Sequence, residues 1–313
     1  MLAAFVLMQV PTTAQAGEKD SIRLIAPNAP GSTVDFTARL LSPALSKALG
    51  KEVVVENLPG AGGIIGTQQL VRAPKDGSTI GIVSDNHVII PSIYKDVPYD
   101  AIKDVTPISI LAINTLVLVT NTNVQARTVK ELIELAKSQP GKLSYGSAGN
   151  GSVLHLAAEL FCSEAGVKIT HVPYKGGSQL LADLMGGHVH MGMVGMSTVA
   201  EQIKAGKINA LAVSTPKRTS VFPDVPTLVE AGLPNYSFTT WIAMIAPGNL
   251  PQPVVQRLNG AALDTLKLKE VRDGFAAQGL EIVGSTAEEA AKLFAADIVK
   301  KAQIVKQSGA KMQ

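Results

Sequence analysis

The chain has 313 residues, of which 46% are hydrophobic and 17% charged, with a formal net charge of +3. That balance excludes a disordered or acidic-tail protein and leaves a globular chain long enough for one large domain or two of ordinary size. Its Lys and Arg residues are scattered rather than gathered into a stripe, so nucleic acid is not an expected partner.

Residues 1 to 16, M-L-A-A-F-V-L-M-Q-V-P-T-T-A-Q-A, join a short apolar run to Ala14-Gln15-Ala16, the A-x-A cleavage pattern of a secretory signal peptide. The positive n-region is missing, since the first basic residue is Lys19, which points to a start codon further upstream or a trimmed sequence. No later segment has the roughly 18 to 20 unbroken apolar residues of a membrane span. The single cysteine, Cys162, allows no intrachain disulfide, and its company of Leu156, Leu160 and Phe161 on a helix pattern marks a buried, inert thiol. An exported protein with neither anchor nor staple suits a periplasm.

In chain order, Ile22 to Ala26 predicts a strand, and Asn28-Ala29-Pro30-Gly31-Ser32-Thr33 leads into a helix carrying Phe36, Leu40, Leu45 and Leu49, which Pro43 should kink or divide. A second strand at Val53 to Val55, a glycine-rich loop, a short helix to about Arg72 and a third strand at Thr79 to Val83 follow. The rhythm restarts at Leu116 to Val119. Thr128 and Glu131 form a capping box for a helix that Pro140-Gly141 ends. Further strands are predicted at Lys168 to Val172, His190 to Val194 and Asn209 to Val213, with helices between them. Alternating strands and helices predict mainly parallel sheets with right-handed crossovers. After a proline-rich connection between Pro216 and Pro234 come a strand at Thr239 to Ile245 and a mostly helical end, which should fold back onto the first unit.

Four polar or glycine-rich loops sit at the carboxyl ends of predicted strands, where open α/β sheets bind ligands. They are Asn28 to Thr33, Ser84-Asp85-Asn86-His87, Ser147-Ala148-Gly149-Asn150-Gly151-Ser152 and Gly195-Met196-Ser197-Thr198. Gly146 and Gly151 have the G-x-x-x-x-G spacing of a phosphate loop, yet Ser152 and Val153 stand where Lys and Ser or Thr belong. Neutral N–H and hydroxyl donors at a helix start suit one carboxylate better than a triphosphate. Gly60 to Gly66 is not G-x-G-x-x-G, and His188-Val189-His190 lacks a third metal ligand in register, so no cofactor or metal is expected. Ser147 is outside G-x-S-x-G because Tyr145 takes the first glycine position, and a Ser147 or Ser152 nucleophile with His155 lacks an orienting acid. Asp35 reads most simply as a helix cap.

Taken together, Ile25-Ala26-Pro27 with Gly31 and Asp35, Val53 to Gly63, Val97-Pro98-Tyr99-Asp100, Gly141 to Tyr145, Ser147 to Ser152 with His155-Leu156-Ala157, His171 to Gly176, and Phe222 to Thr227 with Glu230 to Pro234 resemble the Bug receptors. These TctC-like proteins are the substrate-binding components of tripartite tricarboxylate transporters. The resemblance implies an α/β, two-domain, Venus-flytrap periplasmic-binding-protein fold of type II-like plan. It implies domain 1 from 20 to 112 plus 242 to 313, domain 2 from 113 to 241, and a ligand cleft between them. Carried over by position, the cleft is lined by Asn28, Pro30, Gly31, Ser32, Thr33, Asp35 and Ser84 to His87 from the first domain. Ser147, Ala148, Gly149, Gly151, Ser152, His155 and Gly195 to Thr198 line it from the second, with Gly176 and Trp241 near the wall. The first loop departs from the family's P-P-G-G-G-T-D, keeping only Pro30, Gly31 and Asp35, and an exposed Asp85 is expected to help select the ligand.

The function this implies is a monomeric receptor for a small carboxylate, whether a di- or tricarboxylate, an acidic amino acid or an aromatic acid. It would hand that ligand to a two-component membrane permease. A sensor subunit for a membrane histidine kinase and a serine hydrolase using Ser147 or Ser152 with His155 are the competing expectations.

Overall fold

The computed structural model describes residues 21–219 and 221–308, so the expected signal segment lies outside them. In chain order the elements are β1 (Ser21–Ala26), α1 (Thr33–Leu49), β2 (Glu52–Asn57), α2 (Ile64–Val71), β3 (Thr79–Ser84), α3 (Asn86–Ile93) and β4 (Val105–Asn114). Then come β5 (Leu116–Asn121), α4 (Val129–Ser138), β6 (Ser144–Ser147), α5 (Val153–Ala165), β7 (Thr170–Pro173), α6 (Gly177–Gly186), β8 (Met191–Gly195), α7 (Met196–Lys204) and β9 (Ile208–Val213). The last are β10 (Thr240–Pro247), α8 (Gln252–Lys267), α9 (Lys269–Ala277), β11 (Leu280–Ile282) and α10 (Ala287–Ser308).

Local chemistry explains the helix ends. Thr128 and Glu131 make the reciprocal capping box that opens α4. Ser32 caps α1 by accepting from Asp35 N, and Gly50 closes it in the left-handed conformation. α1 runs through Pro43 without dividing. The missing Pro N–H costs one hydrogen bond, but Ala38, Leu41 and Leu45 are fully buried on one face of the helix, spanning the proline.

Two sheets result, ordered β2-β1-β3-β10-β4-β11 and β7-β6-β8-β5-β9. The sheets are mixed rather than mainly parallel. β1 pairs parallel with β2 and β3, and β6 with β7 and β8, as βαβ units require. The fourth strand of each sheet, β10 or β5, runs antiparallel to both neighbours. The reason lies in the connections: β5 arrives from β4 of the other sheet through Thr115 alone, and β10 arrives from β9 through residues 214–239. Neither enters over a helical crossover, so neither is held to a parallel direction.

On the first sheet, Leu24, Ile80 and Met244 pack against Leu41, Leu258 and Phe275 of α1, α8 and α9. The opposite face packs Ile25, Val83 and Trp241 against Phe294 of α10. The second sheet buries Leu118, Tyr145 and Met193 against Leu156 and Phe161 on one face, and Val117 and Val119 against Leu180 and Leu184 on the other. α10 belongs to both lobes. Its Phe294 lies in the first core and its Ile304 and Val305 in the second, so this 22-residue helix straps the sheets together beside the two strand crossings.

Candidate functional site

Between the lobes lies a cleft of about 310 Å³. The first lobe contributes Asn28 and the start of α1 (Ser32, Thr33, Val34), the end of β3 (Ser84, Asp85), Asn114 at the end of β4, and Thr240, Trp241 and Ile242 of β10. The second contributes Leu116, the first residues of α5 (Val153, Leu154), Gly177 at the start of α6, and Val194, Gly195, Ser197 and Thr198 where β8 meets α7. Four helix N-termini therefore open on one space, two lobes facing each other. Their first N–H groups have no intrahelical acceptor and carry the positive end of the helix dipole. Neither α6 nor α7 has a side-chain cap; Met196 N, the first of α7, donates to Thr115 O, and the N–H groups that follow it are left for a ligand. Among the described residues lining the cleft there is no Lys, Arg or His.

Of the residues singled out from the sequence, the structure brings Asn28, Ser32, Thr33, Ser84, Asp85, Gly195, Ser197, Thr198 and Trp241 to this cleft. The others support it or lie elsewhere. Asp35 is buried and accepts from Gly31 N at 2.8 Å, Arg39 Nε at 2.9 Å and Asn57 Nδ2 at 2.9 Å. Asn57 Nδ2 also donates to Asn28 O, so this carboxylate ties together the loop holding Asn28, Pro30 and Gly31 rather than facing the cleft. Burial pushes the Asp35 carboxyl up, and these hydrogen bonds outweigh it and hold it below its usual range.

Asp85 is not exposed as the sequence led one to expect; it is 2% exposed, and its Oδ2 lies 3.0 Å from the ammonium of Lys301, itself 1% exposed. Lys301 Nζ also donates to Thr239 O and stands 3.4 Å over the Phe238 ring. Burial pushes the Asp85 carboxyl up while Lys301 opposes it. Trp241 donates its indole N–H to Asp297 at 2.7 Å, behind the cleft floor. Asn86 and His87 turn away: Asn86 Nδ2 donates to Gly62 O, and the His87 ring is buried against Tyr99 and Phe294 with Nε2 2.8 Å from Ala101 O. Burial pulls His87 down to about 4.

The Ser147–Ser152 loop is used internally. Ser147 is fully buried, and its Oγ lies 2.7 Å from His171 Nε2 and accepts from Gly149 N. Gly151 N donates to His155 Nδ1 at 3.0 Å, and Ser152 caps α5 by accepting from His155 N. Gly151 has φ +71°, and a Cβ there would stand 2.8 Å from Ile93 Cδ1, so the turn accepts only glycine. The His155 and His171 rings stack 4.0 Å apart, His171 stacks on Tyr145, and Tyr145 donates to Glu159. Burial lowers both histidines, His171 to about 4. None of Ser147, Ala148, Gly149, Gly151, Ser152, His155, Gly176 or Met196 lines the cleft; the loop instead sets the start of α5, Gly176 caps α6, and Met196 N donates to Thr115 O at the crossing. Cys162 is buried, and burial pushes its thiol up to about 12.

Sequence reasoning missed Val34, Asn114, Leu116, Val153, Leu154, Gly177, Val194, Thr240 and Ile242. Most adjoin a residue that was singled out; Asn114 and Leu116 flank Thr115, where the chain crosses between sheets.

The family model described as the tripartite tricarboxylate transporter family receptor matches residues 37–310. Protein BugT of Bordetella pertussis (strain Tohama I) is 34% identical over 305 residues, covering 97% of this chain and 94% of BugT. A solved structure described as a periplasmic transporter is 38% identical with a TM-score of 0.78, covering 94% of this chain and 99% of that one. An R. palustris protein solved with adipate is 31% identical with a TM-score of 0.78, covering 93% and 98%. No helix among the described residues is long and apolar enough to cross a membrane. The architecture is that of a two-domain periplasmic solute-binding protein, and the chain belongs to the tripartite tricarboxylate transporter receptor family.

Proposed function

We propose that the protein is a periplasmic receptor that captures a small carboxylate between its two domains, the lobes built on the β2-β1-β3-β10-β4-β11 and β7-β6-β8-β5-β9 sheets, and delivers it to a two-component permease. The observation that carries this is the convergence of helix N-termini from both lobes on a cleft without a cationic side chain. Such a site offers neutral N–H donors and hydroxyls to an anion. Because the donors belong to different lobes, a carboxylate held by both favours closure about the crossings at Thr115 and 214–239. The adipate carried by the R. palustris relative is a ligand of this chemistry. The hydrolase alternative is disfavoured: Ser147 is sealed behind the loop against His171, and Ser152 spends its hydroxyl on the α5 cap, so neither offers a nucleophile to the cleft.

Native mass spectrometry of protein recovered from the periplasm, followed by calorimetric titration with dicarboxylates, tricarboxylates, acidic amino acids and aromatic acids, tests this. The expected result is saturable binding of at least one carboxylate at one site per chain, weakened by Thr33→Val or Thr198→Val. Absence of carboxylate binding throughout, or affinity unchanged in both variants, would overturn the assignment.

A further inference from the structure

The elements that open on the cleft do not carry the same side chains. α1 brings Thr33, β3 ends in Ser84, and α7 brings Ser197 and Thr198, all half-buried or exposed. Among the described residues none of these four hydroxyls is taken up by another group of the chain. α5 is different. Its first two residues are Val153 and Leu154, both half-buried, both packed on the second lobe's core and both lining the cleft. The hydroxyl that precedes them, Ser152 Oγ, is spent on His155 N. α5 lies on the face of the second sheet that holds Leu156 and Phe161, whereas α7 lies on the face that holds Leu180 and Val199. The two helix starts therefore enter from opposite faces of that sheet, and the cleft has a hydroxyl side and an apolar side.

A hydroxyl or charge on the part of a ligand that lies against Val153 and Leu154 would lose its water and find no side-chain partner, whereas a hydrocarbon segment there buries apolar surface on both molecules. Charge adds a second exclusion. Asp85 is the only acidic side chain among the described residues lining the cleft, and it is 2% exposed with the Lys301 ammonium at 3.0 Å. An ammonium group on a ligand thus meets no free anion. We infer that the ligand is a carboxylate with an unsubstituted hydrocarbon body, an alkyl chain or ring without hydroxyl or amino groups, whose carboxylate lies among the hydroxyls and whose body lies on Val153 and Leu154. This rests on the carboxylate-receptor reading of the same cleft. Hydroxy acids and amino acids are the rejected class, since they share the anchor and strand a polar group on the apolar side. An apolar pocket rejects an added hydroxyl by up to about a hundredfold.

The test is calorimetry on sets matched in carboxylates and chain length: butyrate, 3-hydroxybutyrate and 3-aminobutyrate; succinate, malate and aspartate; glutarate, 2-hydroxyglutarate and glutamate. In the sets that bind, the plain member is expected to bind at least tenfold more tightly than its hydroxylated and aminated counterparts. Lengthening the plain acid from butyrate to hexanoate, or from succinate to adipate, should raise affinity by roughly threefold to fourfold per methylene. Val153→Thr keeps the shape and puts a hydroxyl on the apolar side, so the preference for the plain member over the hydroxy acid should fall below threefold. Leu154→Ala removes hydrocarbon without adding polarity and should weaken the plain members while shrinking the negative heat-capacity change of their binding. A hydroxylated or aminated member that binds as well as the plain one, affinity that does not rise with chain length, or a preference unchanged in Val153→Thr would each overturn the inference and leave the receptor standing. Failure of every carboxylate to bind would remove the receptor reading, and the inference with it.

Discussion

Replacing Lys301 by Met should be among the most damaging single changes outside the hydrophobic core. The ammonium is 1% exposed, 3.0 Å from Asp85 Oδ2, and also donates to Thr239 O while lying 3.4 Å over the Phe238 ring. Removing it strands a carboxylate that is itself 2% exposed. Breaking one partner out of a buried ion pair costs about 3–5 kcal/mol, because the remaining charge keeps its desolvation penalty and loses its compensation. Asp85→Asn in the Lys301→Met background removes that stranded charge and should recover most of the loss. The sign with pH follows from burial, which pushes the unpaired Asp85 carboxyl above its unfolded value, so the deficit of Lys301→Met is largest at neutral pH and shrinks as pH falls through the raised pKa. Urea unfolding at pH 7 and at lower pH, on the wild type, both single variants and the double, measures this as midpoints at constant slope. Lys292→Met is the control on the same helix, since its ion pair with Glu288 is exposed and should leave the midpoint unchanged. A loss below about 1 kcal/mol in Lys301→Met, or a double variant as unstable as the sum of the singles, would refute the reasoning, because an intact buried pair predicts neither.

Fully buried His87 is held at about 4 by burial, below its unfolded value of 6.5. Its contribution is complete above pH 6.5 and is lost as pH falls toward 4, about 3 kcal/mol in all at roughly 1.36 kcal/mol per unit. His87→Phe, at a position packed between Tyr99 and Phe294, should flatten that part of the acid limb in denaturation curves recorded between pH 7 and 4.5. Asp35→Ala removes the acceptor for Gly31 N, Arg39 and Asn57, and with it the order of the first cleft loop. It should cost about 1.5–3 kcal/mol in urea unfolding and weaken the bound carboxylate several-fold by calorimetry, although the Asp35 side chain lines no part of the cleft. Gly279→Ala forces a left-handed alanine at φ +61° and sets its Cβ 2.9 Å from Ser197 N. A loss of about 1–2 kcal/mol from the backbone alone is expected, with affinity falling because the start of α7 must move.

How much of this was legible depends on the range of the physics involved. The strands at β1, β3, β5, β9 and β10 read directly, because each carries a mostly apolar, mostly buried run. β4 did not: Pro107 interrupts Val105 to Asn114, yet it falls beside a shift of register against Ile245, where the ladder tolerates a missing donor. α3 is a β-branched run, Val88-Ile89-Ile90, that tertiary packing turns helical because Ile89 must reach the second core while Val88 stays in the first. The four loops were found because glycines and hydroxyls before helices leave a local signature. Asn114 was not, since it ends an unrecognised strand and matters only because the chain crosses lobes one residue later. Nor does spacing tell that Asp85 meets Lys301, 216 residues away, or that His155 stacks on His171.

The G-S-A-G-N-G-S turn shows why a glycine-rich loop without its lysine need not be a weakened phosphate site. Its own polar groups are consumed: Ser147 by His171, Gly151 N by His155, Ser152 by the helix cap. What reaches the cleft is the start of α5 that these bonds hold in place. A lysine there would give one lobe a strong, charge-assisted grip on the anion, independent of whether the other lobe had closed. Neutral donors shared between α1 on one side and α5, α6 and α7 on the other give each lobe only part of the grip. Affinity then depends on both halves being present together and drops when they separate. A receptor that must release its cargo to a partner gains from that arrangement, since opening the hinge is itself enough to let go. Introducing a cation at Gly177, as Gly177→Lys, would convert the site to one-sided holding: anions should bind more tightly and dissociate more slowly in stopped-flow measurements, with the lobes less completely closed in small-angle scattering. Faster dissociation or unchanged closure in that variant would count against shared neutral donors as the basis of capture.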